Sequence, residues 1–428
     1  MNAGDEAVSP AWRRARRILC VRLDNLGDVL MSTPAMRALR QAAPGRRLTL
    51  LASPSGAAAA AFVPEIDEVV THCAPWARHD DEKDGGPQAD LALVERLRAG
   101  AYDAAVVFTV YSQSALPAAL LCRLAGIPAV LGYSRENPYR LLSPWVREEE
   151  PQRRVRHEVQ RQLDLVAHVA PLPGDARLSF RVRPADRLGL RGKLAALGLP
   201  GEGGWIVVHC GATAASRRYP APLYARAIGL LRRHGLPILL TGSPGEAPLV
   251  RSVERSVARA CGAGQGVFDL SGRLSLGELG ALIEGAALLV CNNSGPAHIG
   301  AALGTPVVDL YALTNPQHAP WLTPHRLLYR DVDCKYCYRS TCPQGHHACL
   351  AGVAPEEVAE AAAELLAGRS GDASLPAMPA RASGAASVVA PAIAQAAGAR
   401  PAPPACAAAP APSSFACTGS PVDVYAGN

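Results

Sequence analysis

Arg17-Ile18-Leu19-Cys20-Val21-Arg22-Leu23-Asp24-Asn25-Leu26-Gly27-Asp28-Val29-Leu30 passes from an apolar run through a polar turn into text with a helical period. The apolar run 18–21 reads as a buried strand, and the segment 27–42 reads as the helix that packs back on it. Outward from this unit the rhythm repeats. Strands are expected at 48–52, 68–71, 104–108 and 129–132, with helices at 91–98 and 114–124. Short apolar runs alternating with helical segments are the pattern of a parallel sheet with crossover helices, so the first part of the chain is expected to be an α/β doubly wound domain.

A basic helix, 155–170, is followed by Pro- and Gly-rich connectors at 171–174 and 200–204 that flank one short strand and one helix. The βα rhythm then restarts with strands at 205–209, 238–242, 268–270, 287–291 and 307–311. Helices are expected after Pro220, up to 260, and at 276–284. The expected division is an extension 1–16, an N-terminal Rossmann-like domain 17–175, a linker region 176–203, a C-terminal Rossmann-like domain 204–368 and a tail 369–428. The tail is rich in Ala and Pro without periodicity, and Pro at that density breaks both helix and ladder, so it is expected to be disordered.

At 428 residues the chain is too long for a single ordinary core, and 49% hydrophobic against 19% charged residues is the balance of a globular protein. The net charge of +6 comes largely from two Arg-rich stretches, 13–17 and 153–161. That is too local for the broad basic face of a nucleic-acid binder, and no nucleic-acid partner is expected. No run of 18 apolar residues exists, and the basic start at Trp12 lacks an apolar stretch long enough for a signal peptide. Cys20, Cys73, Cys122, Cys210, Cys261 and Cys291 are scattered and read as free thiols in a reducing, cytoplasmic compartment.

Three segments carry polar chemistry at expected strand ends, where doubly wound sheets bind ligands. In the first, Gly27 allows close backbone approach and Asp28 stands in the first helical turn. A carboxylate there also complements the helix dipole with no further role. No G-x-G-x-x-G follows the strand, which disfavours a dinucleotide site. The second is His209-Cys210-Gly211-Ala212-Thr213-Ala214-Ala215-Ser216-Arg217-Arg218-Tyr219-Pro220, a small-residue loop with two arginines, suited to an anion or simply a solvated loop. The third is Asn292-Asn293-Ser294-Gly295-Pro296-Ala297-His298, where a strand ends and a small-residue helix begins. Its helix N-terminus presents unpaired amides to a pyrophosphate.

In this order the three segments resemble glycosyltransferase family 9, the ADP-heptose:lipopolysaccharide heptosyltransferases. The resemblance is carried by Gly27-Asp28, Leu30 and Pro34-Ala35, then His209, Gly211-Ala212-Thr213, Arg217 and Tyr219-Pro220, then Ser294-Gly295-Pro296, His298-Ile299 and Ala302-Leu303-Gly304-Thr305-Pro306. It implies the GT-B fold, two Rossmann-like domains facing a cleft, with acceptor on the N-terminal domain and ADP-sugar on the C-terminal one. It also implies an inverting transfer of a heptose or related sugar from an ADP-activated donor to a lipopolysaccharide core or related glycan, at the inner face of the inner membrane, by a cytoplasmic or peripheral protein. Asp28 is then the general base, Gly27 lines the cleft, and Arg217 neutralises the leaving diphosphate. Thr213, Ser216, Asn293, Ser294, Gly295 and His298 complete the donor site, and no metal cofactor is required for catalysis. The family usually has Asp where this chain has Asn293, which puts the sugar's identity in question.

Two other readings stand beside this one. A non-catalytic nucleotide-sugar-binding module would keep the fold without the base, and a GT-B sugar epimerase would lack the Gly27-Asp28 text. Separately, Cys334, Cys337, Cys342 and Cys349 lie within 16 residues that also hold His346 and His347. Such spacing suits a structural zinc, a disulfide pair or free thiols.

Overall fold

The computed structural model describes residues 9–77, 85–261 and 266–370, without the side chains of 260–261 and 369–370. β1 (Arg17–Arg22), β2 (Arg47–Ala52), β3 (Glu68–Thr71), β4 (Ala104–Val107), β5 (Val130–Ser134) and β6 (Trp145–Arg147) form one sheet in the order β3-β2-β1-β4-β5-β6. β7 (Trp205–His209), β8 (Ile238–Thr241), β9 (Val267–Asp269), β10 (Ala286–Asn292), β11 (Val307–Leu310) and β12 (His325–Leu328) form the other, in the order β12-β11-β10-β7-β8-β9. Every pairing is parallel. Both sheets reverse their winding direction once, between β1 and β4 and between β7 and β10, and such switch points open a crevice at the carboxyl ends of the strands.

The central strands form because their text is apolar on both faces. In β1, Ile18, Leu19, Cys20 and Val21 are essentially inaccessible, and Cys20 stands between Leu50 and Val106. β6 and β12 were not expected. Each is an edge strand with an exposed side, so neither carries a continuous apolar run.

The single helix expected at 27–42 is two helices, Leu26–Met31 and Thr33–Gln41. Pro34 opens the second and cannot donate to the turn before it, and the Ser32 hydroxyl donates to the Asp28 carbonyl at 2.9 Å. In 176–203 the helix is present, Pro184–Ala195, but the expected short strand is not. Phe180 instead stacks on Phe62 at 4.7 Å between ring centres.

The helix Glu158–Val166 lies against Thr33–Gln41, and its Val159 and Leu163 join Met31, Leu178 and Ala301 in one small apolar cluster. That cluster ties the N-terminal sheet's helices to the helix Gly295–Leu303 of the C-terminal one. The last helix, Pro355–Ser370, returns Val358, Ala362 and Leu365 to the core beside Ile228 and Leu231. It therefore includes 369 and 370, and the remainder of the expected tail, 371–428, lies outside the described residues, as do 1–8 and 78–84. Both sheets belong to one compact unit, residues 1–380, and a second unit, 381–428, is outside the described residues. Among the described residues no helix is long and apolar enough to cross a membrane.

Candidate active site between the two sheets

β1 ends in Arg22, whose guanidinium is fully buried. Its Nε lies 2.9 Å from Asp24, its Nη2 3.2 Å from Asp28 Oδ1 and its Nη1 2.8 Å from Glu158. A buried cation among three carboxylates fixes the direction of each. Burial pushes the Glu158 carboxyl up, with Arg22 opposing. The other oxygen of Asp28 accepts the Asn25 amide at 3.1 Å, so the carboxylate also closes the first helical turn. Its side chain remains 15% exposed, while those of Arg22 and Glu158 are sealed. Asp24, 14% exposed, and Asp28 are the members of this group that keep access to solvent.

The next residue back explains how the two sheets meet. A Cβ added to Gly27 would stand 2.6 Å from Cδ2 of His298, and one added to Gly295 would stand 3.2 Å from Leu26 Cδ2. The start of the helix Leu26–Met31 therefore faces the start of the helix Gly295–Leu303 across a cleft of about 350 Å³ lined by Gly27, Thr213, Ser294 and Gly295. Two helix N-termini with their free amides converge on one space, an arrangement that favours an anion.

His298 is buried and its Nδ1 has no partner among the described residues. Burial, helped by His318, His157 and Arg217 nearby, pushes it down to about 3, so it stands behind the helix start as a neutral imidazole.

Asn292 builds the loop after β7. Its Oδ1 accepts the Tyr219 amide at 2.9 Å, and its Nδ2 donates to the carbonyls of Cys210 and Gly211 at 2.9 and 3.0 Å. The end of β10 thus holds both ends of the loop. Thr213 is exposed at the cleft. Of the two arginines, Arg218 folds back on the Ala212 carbonyl, while Arg217 donates to Thr314 Oγ1 at 3.2 Å and lies close enough to His298, His318 and Asp309 to shift each of them.

Ser216, expected among the donor ligands, is turned away. Its amide donates to the Ser340 carbonyl at 2.8 Å and its hydroxyl to the Arg339 carbonyl at 2.6 Å, so both groups are spent on packing. Asn293 is buried, and its side chain lies within hydrogen-bonding reach of Tyr311.

Several residues at the site were not singled out from sequence. Glu158 and His318 reach it from helix and loop text without a motif. Asp309 is buried on β11 with both oxygens unpartnered among the described residues, and burial raises its carboxyl well above the usual range with Arg217 opposing. Glu246 accepts the Ser243 amide at 2.8 Å and occupies the space that a side chain at Gly211 would need. The unusual charge of Asp309 within an apolar run was a readable signal; the others had none. On the N-terminal side a smaller cavity of about 30 Å³, lined by Asp24, Trp76, Thr109, Gln113 and Ser114, opens at the ends of β1 and β4.

The expected thiols Cys20, Cys122, Cys210 and Cys291 are free and buried, and burial pushes Cys20 and Cys122 up to about 12. The side chain of Cys261 lies outside the described residues. Cys334, Cys337, Cys342 and Cys349 are also free, and among the described residues no group of three or more His, Cys, Asp or Glu side chains is arranged to hold a metal ion.

Residues 91–348 match the family described as glycosyltransferase family 9 (heptosyltransferase). Lipopolysaccharide heptosyltransferase 3 of Escherichia coli K12 is 26% identical over 299 residues, covering 69% of this chain and 81% of that protein. Lipooligosaccharide heptosyltransferase 2 of Haemophilus ducreyi is 25% identical over 371 residues, 82% of this chain and 99% of that protein. Among solved structures, a family 9 glycosyltransferase from Veillonella parvula superposes with a TM-score of 0.64 at 21% identity, over 82% of this chain and 97% of that one. The ADP-heptose lipopolysaccharide heptosyltransferase II of E. coli superposes with 0.62 at 23%, over 83% and 99%. Two parallel sheets facing one cleft, in the same overall arrangement as these structures, make the fold GT-B.

Proposed function

The chain belongs to glycosyltransferase family 9 and is a GT-B glycosyltransferase; from that premise we propose that its cleft transfers a heptose, or a closely related sugar, from an ADP-activated donor to a hydroxyl of a lipopolysaccharide core or related glycan. The observation that carries this reading is the meeting of the helix start that bears Asp28 with the Ser294–Gly295 helix start, through the Gly27–His298 and Leu26–Gly295 contacts. Asp28 takes the proton of the acceptor hydroxyl as its oxygen forms the new bond to the anomeric carbon. The bond from that carbon to the diphosphate breaks on the opposite face, so the configuration inverts. Arg217 and the amides at Ser294 and Gly295 meet the charge that develops on the departing ADP. Thr213 and Glu246 line the same space, and the Glu246 carboxylate suits the hydroxyls of a ribose.

The acceptor enters from the N-terminal sheet, where Asp24 accepts from Gln113 at 2.6 Å beside Trp76, a polar and aromatic pairing suited to a sugar ring. A cytoplasmic protein resting on the inner membrane fits a glycolipid acceptor. The exposed Arg13, Arg14 and Arg16 supply positive charge for anionic headgroups, each worth about 1 kcal/mol near such a surface.

The Asp28→Asn variant tests the reading against a module that only binds. Turnover should fall by about 10²–10⁴ while calorimetric affinity for ADP-heptose changes little. Near-normal turnover would leave Asp28 with its helix-capping role alone.

A further inference from the structure

Asp28 is held from behind by a buried chain of ion pairs that runs back into the helix Glu158–Val166. We propose that Glu158 is a positioning residue for the general base, a carboxylate that aims the Arg22 guanidinium at Asp28 and offsets its positive charge there. The inference rests on Asp28 as the base of the transfer described above.

The geometry joins three residues in a line. Arg22 spans two carboxylates, with Nη1 2.8 Å from Glu158 Oε1 and Nη2 3.2 Å from Asp28 Oδ1. Glu158 comes from 136 residues further along the chain, and neither its side chain nor that of Arg22 has any exposed surface. Gln162, one turn on, donates to the same Glu158 oxygen at 2.6 Å and to the Thr109 carbonyl at 3.0 Å, which fixes the carboxylate from the side. The backbone beneath it is fixed as well. The Glu158 amide donates to the Gln317 carbonyl at 3.0 Å, and His157 accepts the Val159 amide at Nδ1 and donates from Nε2 to the Ala319 carbonyl at 2.8 Å. The first turn of this helix is therefore tied to the loop after β11, and the carboxylate it carries has one direction to point.

The charges give that direction a consequence. A fixed cation beside a carboxylate disfavours proton uptake, and a second carboxylate on the same cation offsets this. The other charged and titratable groups around the pair are Asp24 at the end of β1, Arg161 on the same helix, itself paired with Glu148 and Glu150, and His318 from the loop after β11, which burial keeps neutral. Of the three carboxylates on Arg22, Glu158 is the one sealed from water, so its field is screened least. The acceptor proton passes to Asp28 alone, and Glu158 takes part in no bond change.

The test is the pH dependence of kcat/KM for the acceptor at saturating ADP-heptose, in the full-length parent, Glu158→Gln and Glu158→Asp. Glutamine keeps an oxygen for Arg22 and the shape of the side chain while removing the charge. In Glu158→Gln the rate at neutral pH should fall about 3–10-fold, and the acid limb should move to lower pH by roughly one unit. Calorimetric affinity for ADP-heptose should not change. Glu158→Asp, which keeps the charge but draws it back from Arg22, should fall between the two, and it decides the matter if Glu158→Gln does not fold. An acid limb at the parent's pH in these variants, whatever the loss of rate, would leave Glu158 a packing role and overturn the inference. If Asp28→Asn abolishes turnover while that limb stays unmoved, this inference alone fails; near-normal turnover in Asp28→Asn would overturn the base and this inference together.

Discussion

Arg217 is the residue at which ground-state binding and rate should move together, because the diphosphate is charged before reaction and gains charge as the sugar leaves. The Arg217→Ala variant should raise the donor KM and lower kcat, with a combined loss of roughly 1.5–3 kcal/mol in transition-state stabilisation. Unchanged calorimetric affinity for ADP would place it outside the site. His318 offers a second test at this scale. Burial first, then Arg217, Arg22 and His157, push its imidazole well below the ordinary value, so the folded chain keeps it neutral while the unfolded chain takes a proton below about pH 6.5. Its contribution to stability is whole above that pH and is lost progressively as pH falls below it, the slope approaching about 1.4 kcal/mol per pH unit. His157, pushed down to about 4, and His298, to about 3, act with the same sign. Asp309, raised by burial, acts with the opposite sign, because its carboxyl holds a proton in the folded chain that it releases on unfolding. Comparing urea unfolding of the parent and His318→Gln from pH 7 to pH 5 isolates one proton. Identical slopes would mean that His318 is charged in the folded chain.

At the scale of elements, the account depends on two helix starts held face to face. Gly27→Ala puts a methyl into the His298 ring, and neither the backbone of Leu26–Met31 nor the buried imidazole has space to yield freely. We expect kcat/KM to fall by about 10–100-fold, since small misplacements of reacting groups are costly, while the circular dichroism spectrum is retained. Full activity in this variant would show that the helix starts need not approach so closely. The strands around this contact were legible because β1, β7 and β10 are continuous apolar runs. The turns after them were legible as polar text at strand ends. The break at Ser32 was not anticipated, although Pro34 advertised it, because the apolar period runs through both helices. Ser216 misled because its residue type suits an anion loop. What commits it to packing is a segment 123 residues away, and no local pattern shows that. Asn292 was passed over beside Asn293 for the same reason: its three loop contacts exist only once β10 lies next to β7.

At the scale of the molecule, both Arg-rich stretches were legible as local charge, but where that charge goes was not. Arg161 is buried between Glu148 and Glu150, each 2.5 Å away, and Arg156 lies 3.1 Å from Glu150 and 2.8 Å from Asp164. Arg156 and Arg161 of the second stretch therefore anchor the helix Glu158–Val166, while its Arg153 and Arg154 face outward like Arg13, Arg14 and Arg16 of the first. That helix, through Val159 and Leu163, joins Met31 to Ala301 and so keeps the acceptor and donor sides in register. The central claim is that these two sides are one inverting transferase. It is tested most directly by incubating the purified chain with ADP-heptose, with and without a lipopolysaccharide-core acceptor, and following released ADP together with the mass and anomeric configuration of the glycan. The account predicts ADP release that depends on acceptor, and a product heavier by one heptose whose anomeric configuration is opposite to that of the donor. Tight binding of ADP-heptose with no acceptor-dependent release, or a product that retains the donor's configuration, would contradict it.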